Sequence, residues 1–273
     1  MARVYLATFG TITEGHKQFK NSLLRLKNEA LSTNWFEDVF IYTEEDLKEY
    51  NRSLRGTGAG WWWWKPIVIQ KGLEKVENND IILFLDCGFS INKNGYERFY
   101  EYVDKCANGV GYLGFGGGPI SSILGEGATD RHHTKRDLLI HLNCDHPKYI
   151  DTSQTNSGTL FVKKNKFGID LINDWIKLSE NINFLNDNPS INEEHSEFVS
   201  HKNDQSVLSL LVKLRLPELN DYLLDSRELS FNPKTNGYES YPFRADRLDD
   251  SMLWNRIPVK IINGKLVRDY TQL

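Results

Sequence analysis

The chain has 273 residues, 40% of them hydrophobic and 12% aromatic, which is enough apolar side chain for a packed core and excludes a disordered segment. A formal net charge of −4 leaves no basic stripe of the kind that binds phosphate backbones, so DNA and RNA are excluded as partners. Cys87, Cys106 and Cys144 are irregularly spaced, which supports neither a disulfide framework nor a Cys-x-x-Cys metal site and points to reduced thiols in the cytoplasm.

Taken in chain order, Val4 to Thr8 is a short β-rich run stopped by Phe9-Gly10 and is predicted to be the first strand. Phe19, Leu23, Leu26 and Ala30 recur at helical spacing. Val39 to Tyr42 is a second strand, and Thr43 followed by Asp46 is a capping box that opens a short helix. Gly56, Gly58 and Gly60 mark a flexible loop before Trp61-Trp62-Trp63-Trp64. Pro66 suits a first helical turn, and the helix it opens is expected to run to about Val76. Ile81 to Leu85 is uninterrupted apolar, the pattern of a strand covered on both faces.

A helix is expected over 97–105 and a strand over 110–115, followed by a glycine-rich loop from Gly116 to Pro119. Further helices are expected over 135–142, 167–178 and 203–214, with a strand over 158–162. The polar segment 181–200 reads as a mobile loop, and the pattern beyond Asp225 is weak. Strands alternating with helices give an α/β fold with a mainly parallel sheet. No linker divides the chain, so a single domain is expected over 1–273. Nothing at the N-terminus resembles a signal peptide, and no apolar run approaches the roughly 20 residues that span a bilayer.

Asp86 ends the hydrophobic strand, and carboxyl ends of strands are where open α/β sheets bind ligands. It is either a ligand to a metal or a ribose, or a helix cap. Gly88, two residues on, lets the backbone approach a bulky group such as a diphosphate closely. Four consecutive indoles cannot share one buried face. Two are expected in the core and two over a neighbouring loop, with a sugar- or base-stacking platform as the functional alternative. Lys135 and Arg136 either begin a solvated helix or close over a diphosphate. The spacing Gly109-x-Gly111-x-x-Gly114 formally matches a dinucleotide fingerprint but lacks the helix that should follow it.

Lys65-Pro66, Asp86-Cys87-Gly88, Asn156-Ser157-Gly158 and Asp204-Gln205-Ser206 stand in an order that resembles the GT-A-type glycosyltransferases. The similarity is greatest to the retaining families that include glycogenin and the bacterial lipopolysaccharide galactosyltransferases. Trp-x-Trp-Lys-Pro and the Asp-x-Gly variant also resemble glycosyltransferase-like proteins of viruses and bacteria. The resemblance covers Val4 to about Leu214. It implies a GT-A-like domain in which residues 1–115 bind a nucleotide sugar and residues 116–273 face the acceptor. Asp86 would meet Mn²⁺ or Mg²⁺ or the donor ribose, and Lys65 the donor sugar or its phosphates. Asn156 would bond the donor sugar, and Asp204 with Gln205 would orient its hydroxyls near the reacting carbon. The chain departs from the pattern in two places: Gly88 replaces the second metal carboxylate, and no histidine follows His201.

The expected reaction moves a hexose or pentose from a UDP- or GDP-sugar to a glycan acceptor on the cytosolic side. Asn156, Asp204 and Gln205 are the expected catalytic groups. Thr8, Lys65, Asp86, Gly88, Lys135 and Arg136 are the expected donor-binding groups, with Asp86 as metal ligand. A sugar nucleotidyltransferase and a non-catalytic glycan-binding protein that uses the tryptophans are the alternatives.

Overall fold

The structure, a computed structural model, describes residues 2–12, 19–116, 129–216, 221–229, 240–245, 259–262 and 265–268. The chain begins with β1 (Val4–Phe9), α1 (Lys20–Thr33) and β2 (Val39–Tyr42). A 3₁₀ helix, Glu44–Tyr50, carries the expected capping box: Thr43 accepts from the Glu45 amide, and Asp46 accepts from the Thr43 amide. A single turn, α2 (Gly58–Trp61), leads into α3 (Lys65–Lys75), then β3 (Ile81–Leu85), β4 (Ser90–Ile91), α4 (Tyr96–Asn108) and β5 (Tyr112–Gly116). Three short helices follow: α5 (Asp130–His133), α6 (Arg136–His141) and α7 (Pro147–Ile150). Next come β6 (Thr159–Lys163), α8 (Lys166–Ser179) and α9 (Asp204–Arg215). The described chain closes with β7 (Leu223–Asp225), β8 (Phe243–Arg244), β9 (Val259–Ile262) and β10 (Lys265–Arg268).

Six of these strands form one mixed sheet in the order β2-β1-β3-β6-β5-β7. The pairs β1 with β2, β1 with β3 and β5 with β7 are parallel, whereas β6 runs antiparallel to both its neighbours. The fold is therefore α/β with a mainly parallel sheet, as the alternation of elements predicts. Of the smaller pairings, β4 with β8 and β9 with β10 are antiparallel.

Alternation along the central strands divides the core between the two faces of the sheet. Ala7, Phe9, Ile82, Phe84, Leu160 and Val162 pack on one face with Trp63, Ile67, Trp175 and Leu208. Val4, Leu6, Ile81, Leu83, Leu85 and Phe161 pack on the other with Leu26, Phe99 and Tyr102. All five residues of β3 are completely buried, which is why this strand reads as a continuous apolar run.

The chain leaves β1 toward β2 on one side and later returns to β3 on the other. The carboxyl ends of β1 and β3 thus flank the point where strand order reverses, the place where open α/β sheets offer a crevice.

Several expectations need adjustment. The segment 181–200 is largely irregular but well tied: Asn192 and Ile191 donate to Asp137, and Ser190 bonds Glu194. The glycine-rich loop lies outside the described residues beyond Gly116. The run from Gly58 to Trp62 is a turn of left-handed backbone, with positive φ at Gly58, Ala59, Gly60, Trp61 and Trp62.

Candidate active site

A cavity of about 840 Å³ opens at the carboxyl ends of β1 and β3. Its floor is made by Phe9 at the end of β1, by Gly10 and Thr11 after it, and by Asp86 to Phe89 after β3. Asn156, Ser157 and Gly158 enter from the segment before β6, and Ser200 to Gln205 from the approach to α9 and its first two residues. Gly56 to Ala59, Trp62 and Trp64 make a further wall. The volume is within the usual range for small-molecule sites.

Lys65 lies at the centre. Its side chain is only 2% exposed, yet its Nζ is 3.3 Å from Asp86 Oδ1 and 2.9 Å from Asp204 Oδ2. It also donates to Ser157 Oγ at 3.3 Å. The ammonium is thus ion-paired to two carboxylates and hydrogen-bonded to one hydroxyl. Burial opposes the charge, but Asp204 and then Asp86 outweigh it and hold the ammonium above lysine's ordinary range. The rings of Phe84, Trp64 and Trp62 surround it at 5.5, 5.9 and 6.0 Å.

Each carboxylate is positioned by backbone. The Asp86 amide donates to Gly158 O at 2.8 Å, and the Phe89 amide returns to Asp86 O at 2.9 Å. Asp86 therefore sits in a tight turn whose outer side faces the cavity, with its side chain 34% exposed. Asp204 is buried at the first turn of α9, where the helix dipole favours an acid. Asn156 is fixed by its own amide, which donates to Phe115 O at 2.7 Å, and its Oδ1 accepts from the Gly158 amide at 2.8 Å. A Cβ at Gly158 would lie 2.9 Å from Asp86 Oδ2 and would push that carboxylate from its place, so glycine here leaves room for the acid.

Gln205 donates to Gln154 Oε1 at 2.9 Å. Gln154 is in turn held through its amide nitrogen by Asp130, Thr134 and Ser206. Asp130 also pairs with the buried Lys213 of α9. This polar network locks the start of α9 against α5.

The structure thus brings Lys65, Asp86, Gly88, Asn156, Asp204 and Gln205 around one cavity. It does not bring the other three expected residues there. Thr8 is fully buried one position short of the cavity, whose lining from β1 begins at Phe9. Lys135 is buried, and its Nζ donates to Asn183 O and Asn186 Oδ1 at 3.0 and 2.9 Å. Arg136 is committed to Asp145 and Glu193 O at 3.1 and 2.9 Å. Both cations brace the 183–194 segment, a role the local sequence cannot announce because Asn183, Asn186 and Glu193 lie 48, 51 and 57 residues away from them.

Lys65 itself is tied to two carboxylates and a hydroxyl, which links β3, the segment before β6 and α9 through one ammonium. Trp63 and Trp64 are buried as core residues, whereas Trp62 and Trp64 both line the cavity.

Three further residues serve the site without a legible sequence signal. Arg25 of α1, 5% exposed, donates to Cys87 O at 3.0 Å and Phe89 O at 2.6 Å and holds the Asp86 turn from behind. Asp187 accepts from Trp61 Nε1 and Asn203 Nδ2, both at 2.9 Å, and so joins the tryptophan turn to the residue preceding Asp204. His201 lines the cavity between Lys135 N, which donates to its Nδ1 at 3.3 Å, and Phe184 O, which accepts from its Nε2 at 2.8 Å. Burial pushes its pKa down to about 4.

The donor set suits a divalent ion poorly. The two converging carboxylates already share an ammonium, and among the described residues no three of His, Cys, Asp and Glu cluster as ligands.

No family model matches the chain, and no curated protein matches it in sequence. Among solved structures, it is similar to a glycosyltransferase involved in glycosylation of the major capsid of PBCV-1, at 14% identity and TM-score 0.48, over 89% of this chain and 93% of that one. It is also similar to mouse xyloside xylosyltransferase 1, at 14% identity and TM-score 0.42, over 88% of this chain and 93% of that one. The glycosyltransferase GlyE of Streptococcus pneumoniae aligns at 13% identity and TM-score 0.40, over 85% of this chain and 47% of that one.

Proposed function

We propose that the protein is a GT-A-like glycosyltransferase that moves a hexose or pentose from a UDP- or GDP-sugar to a glycan acceptor on the cytosolic side. The observation that carries this reading is the convergence of Asp86, Asn156, Asp204 and Gln205, from three separated motifs, on one cavity at the switch point of the sheet. Carboxylates, amides and indoles together suit a ring that carries many hydroxyls and an apolar face. Among the described residues no helix is long and apolar enough to cross a membrane.

The chemistry follows from charge. As the nucleoside diphosphate departs, the anomeric carbon becomes cationic, and a fixed carboxylate beside it lowers that barrier more than it stabilises the ground state. Asp204 is the group suited to this: it is buried and held by Lys65, so it needs little reorganisation. Asn156 and Gln205 orient the sugar hydroxyls, and Asp86 binds the donor ribose from the exposed side of its turn. Trp62 and Trp64 offer ring faces to the donor.

Incubation with a panel of nucleotide sugars should release free nucleoside diphosphate slowly, and faster once a suitable acceptor is present. Asp204→Asn should leave donor affinity nearly intact and lower turnover on the order of a hundredfold. Equal losses in affinity and turnover would remove Asp204 from its role, and the absence of nucleotide binding would end the reading.

A further inference from the structure

We infer that the ammonium of Lys65 takes the seat between the two carboxylates that a divalent cation would need, so that the cavity holds its nucleotide-sugar donor without a metal ion. This inference rests on the glycosyltransferase reading and specifies how that site handles charge. Lys65 Nζ stands 3.3 Å from Asp86 and 2.9 Å from Asp204, an ion pair with each, and donates to Ser157 Oγ. A dication brought to the same carboxylates would have to displace this ammonium or sit beside it against like-charge repulsion.

Displacement is opposed by the fold. Lys65 is the first residue of α3, essentially unexposed, and enclosed by the faces of Trp62, Trp64 and Phe84, which favour a cation. Mg²⁺ and Mn²⁺ prefer several oxygen ligands. The turn after β3 supplies one carboxylate, Asp86, with Gly88 where a second would be needed. The cluster of one ammonium and two carboxylates keeps a single net negative charge, which suits sugar hydroxyls rather than phosphate oxygens. Lys202, also on the cavity wall, is a cation available to the diphosphate.

The test is titration of the intact chain with nucleoside diphosphates and UDP- and GDP-linked sugars, by calorimetry and thermal shift, in EDTA and again with excess Mn²⁺ or Mg²⁺. The expected result is a donor whose affinity agrees within about twofold in the two conditions. Binding weakened tenfold or more by EDTA would overturn the inference and leave the glycosyltransferase reading standing. No nucleotide binding under any condition would overturn that reading and this inference with it. In Lys65→Met the two carboxylates lose their cation, so affinity in EDTA should fall at least tenfold and Mn²⁺ should restore part of it. A folded Lys65→Met chain that binds as well as the parent in EDTA would also overturn the inference. Should that variant fail to fold, the parent titration still decides the question.

Discussion

A lysine removed from water survives only where partners offset its desolvation, and Lys65 shows how tightly that constraint couples a site together. Its two carboxylates come from β3 and α9, so loss of the ammonium would leave two acids facing one another. His201 illustrates the opposite solution, burial in the neutral form. Its Nδ1 accepts from the Lys135 amide, so a proton there would confront an N–H donor. With a folded-state pKa of about 4 against roughly 6.5 in the unfolded chain, only the unfolded state takes up the proton between those values. Stability is therefore full above pH 6.5 and falls as the pH drops toward 4, by ~3 kcal/mol from this group. His201→Gln should abolish that component. Urea unfolding at pH 7 and pH 4.5 should show the stability gap between parent and variant narrowing at the lower pH, and a constant gap would mean that His201 is not held neutral. At this scale Asp86 was legible from its strand end and the nearby Gly88, and Asn156 and Asp204 through the order of motifs that resembles GT-A-type glycosyltransferases. Arg25 and Asp187 were not, because their partners come from distant segments that only the folded chain brings near.

Among the elements, the tryptophan turn is the one that local propensity opposes most strongly. Left-handed backbone costs roughly 1–2 kcal/mol per residue outside glycine, and here Ala59, Trp61 and Trp62 all adopt it. Strain of this kind persists where the surroundings over-determine the conformation, and the turn walls the cavity. Trp63 Nε1 donates to Ser53 O, Trp64 Nε1 to Gly58 O and Trp61 Nε1 to Asp187, so three indoles pin the turn from three directions. Gly60 has φ +88°, and a Cβ there would lie 2.5 Å from Ser53 O. Gly60→Ala should therefore lower stability by about 1–3 kcal/mol and weaken donor binding as well. A thermal midpoint and donor affinity both equal to the parent's would show that the turn is not built as described. The glycine spacing marked this segment as irregular, but nothing in the sequence announced its handedness, because that is set by long-range pinning. The long periodic helices and the apolar strands were legible to within a few residues, since their burial pattern is written along a single segment. The expected helix over 97–105, for example, extends to Tyr96–Asn108.

For the molecule as a whole, alternation of strands and helices was sufficient to anticipate an α/β sheet, but not that β6 runs antiparallel between β3 and β5. That reversal is decided by where the 129–158 excursion re-enters the sheet, a property of tertiary packing rather than of local pattern. Its consequence for the site is direct. An antiparallel β6 begins at the same edge where β3 ends, which places Asn156 to Gly158 beside Asp86. The cavity is consequently walled by residues from Phe9 to Ala245, and a ligand bound there touches segments that otherwise have no contact in sequence. Donor at a hundredfold its dissociation constant should stabilise the folded state by about 2.7 kcal/mol. For a chain of this size that corresponds to a rise of roughly 5–10 °C in the unfolding midpoint. Hydrogen exchange should slow together in the tryptophan turn, in the Asp86 to Phe89 turn and in the 200–205 segment, because one ligand closes on all three. Protection confined to a single segment would show that these walls do not serve a common site, even if the midpoint rose as expected.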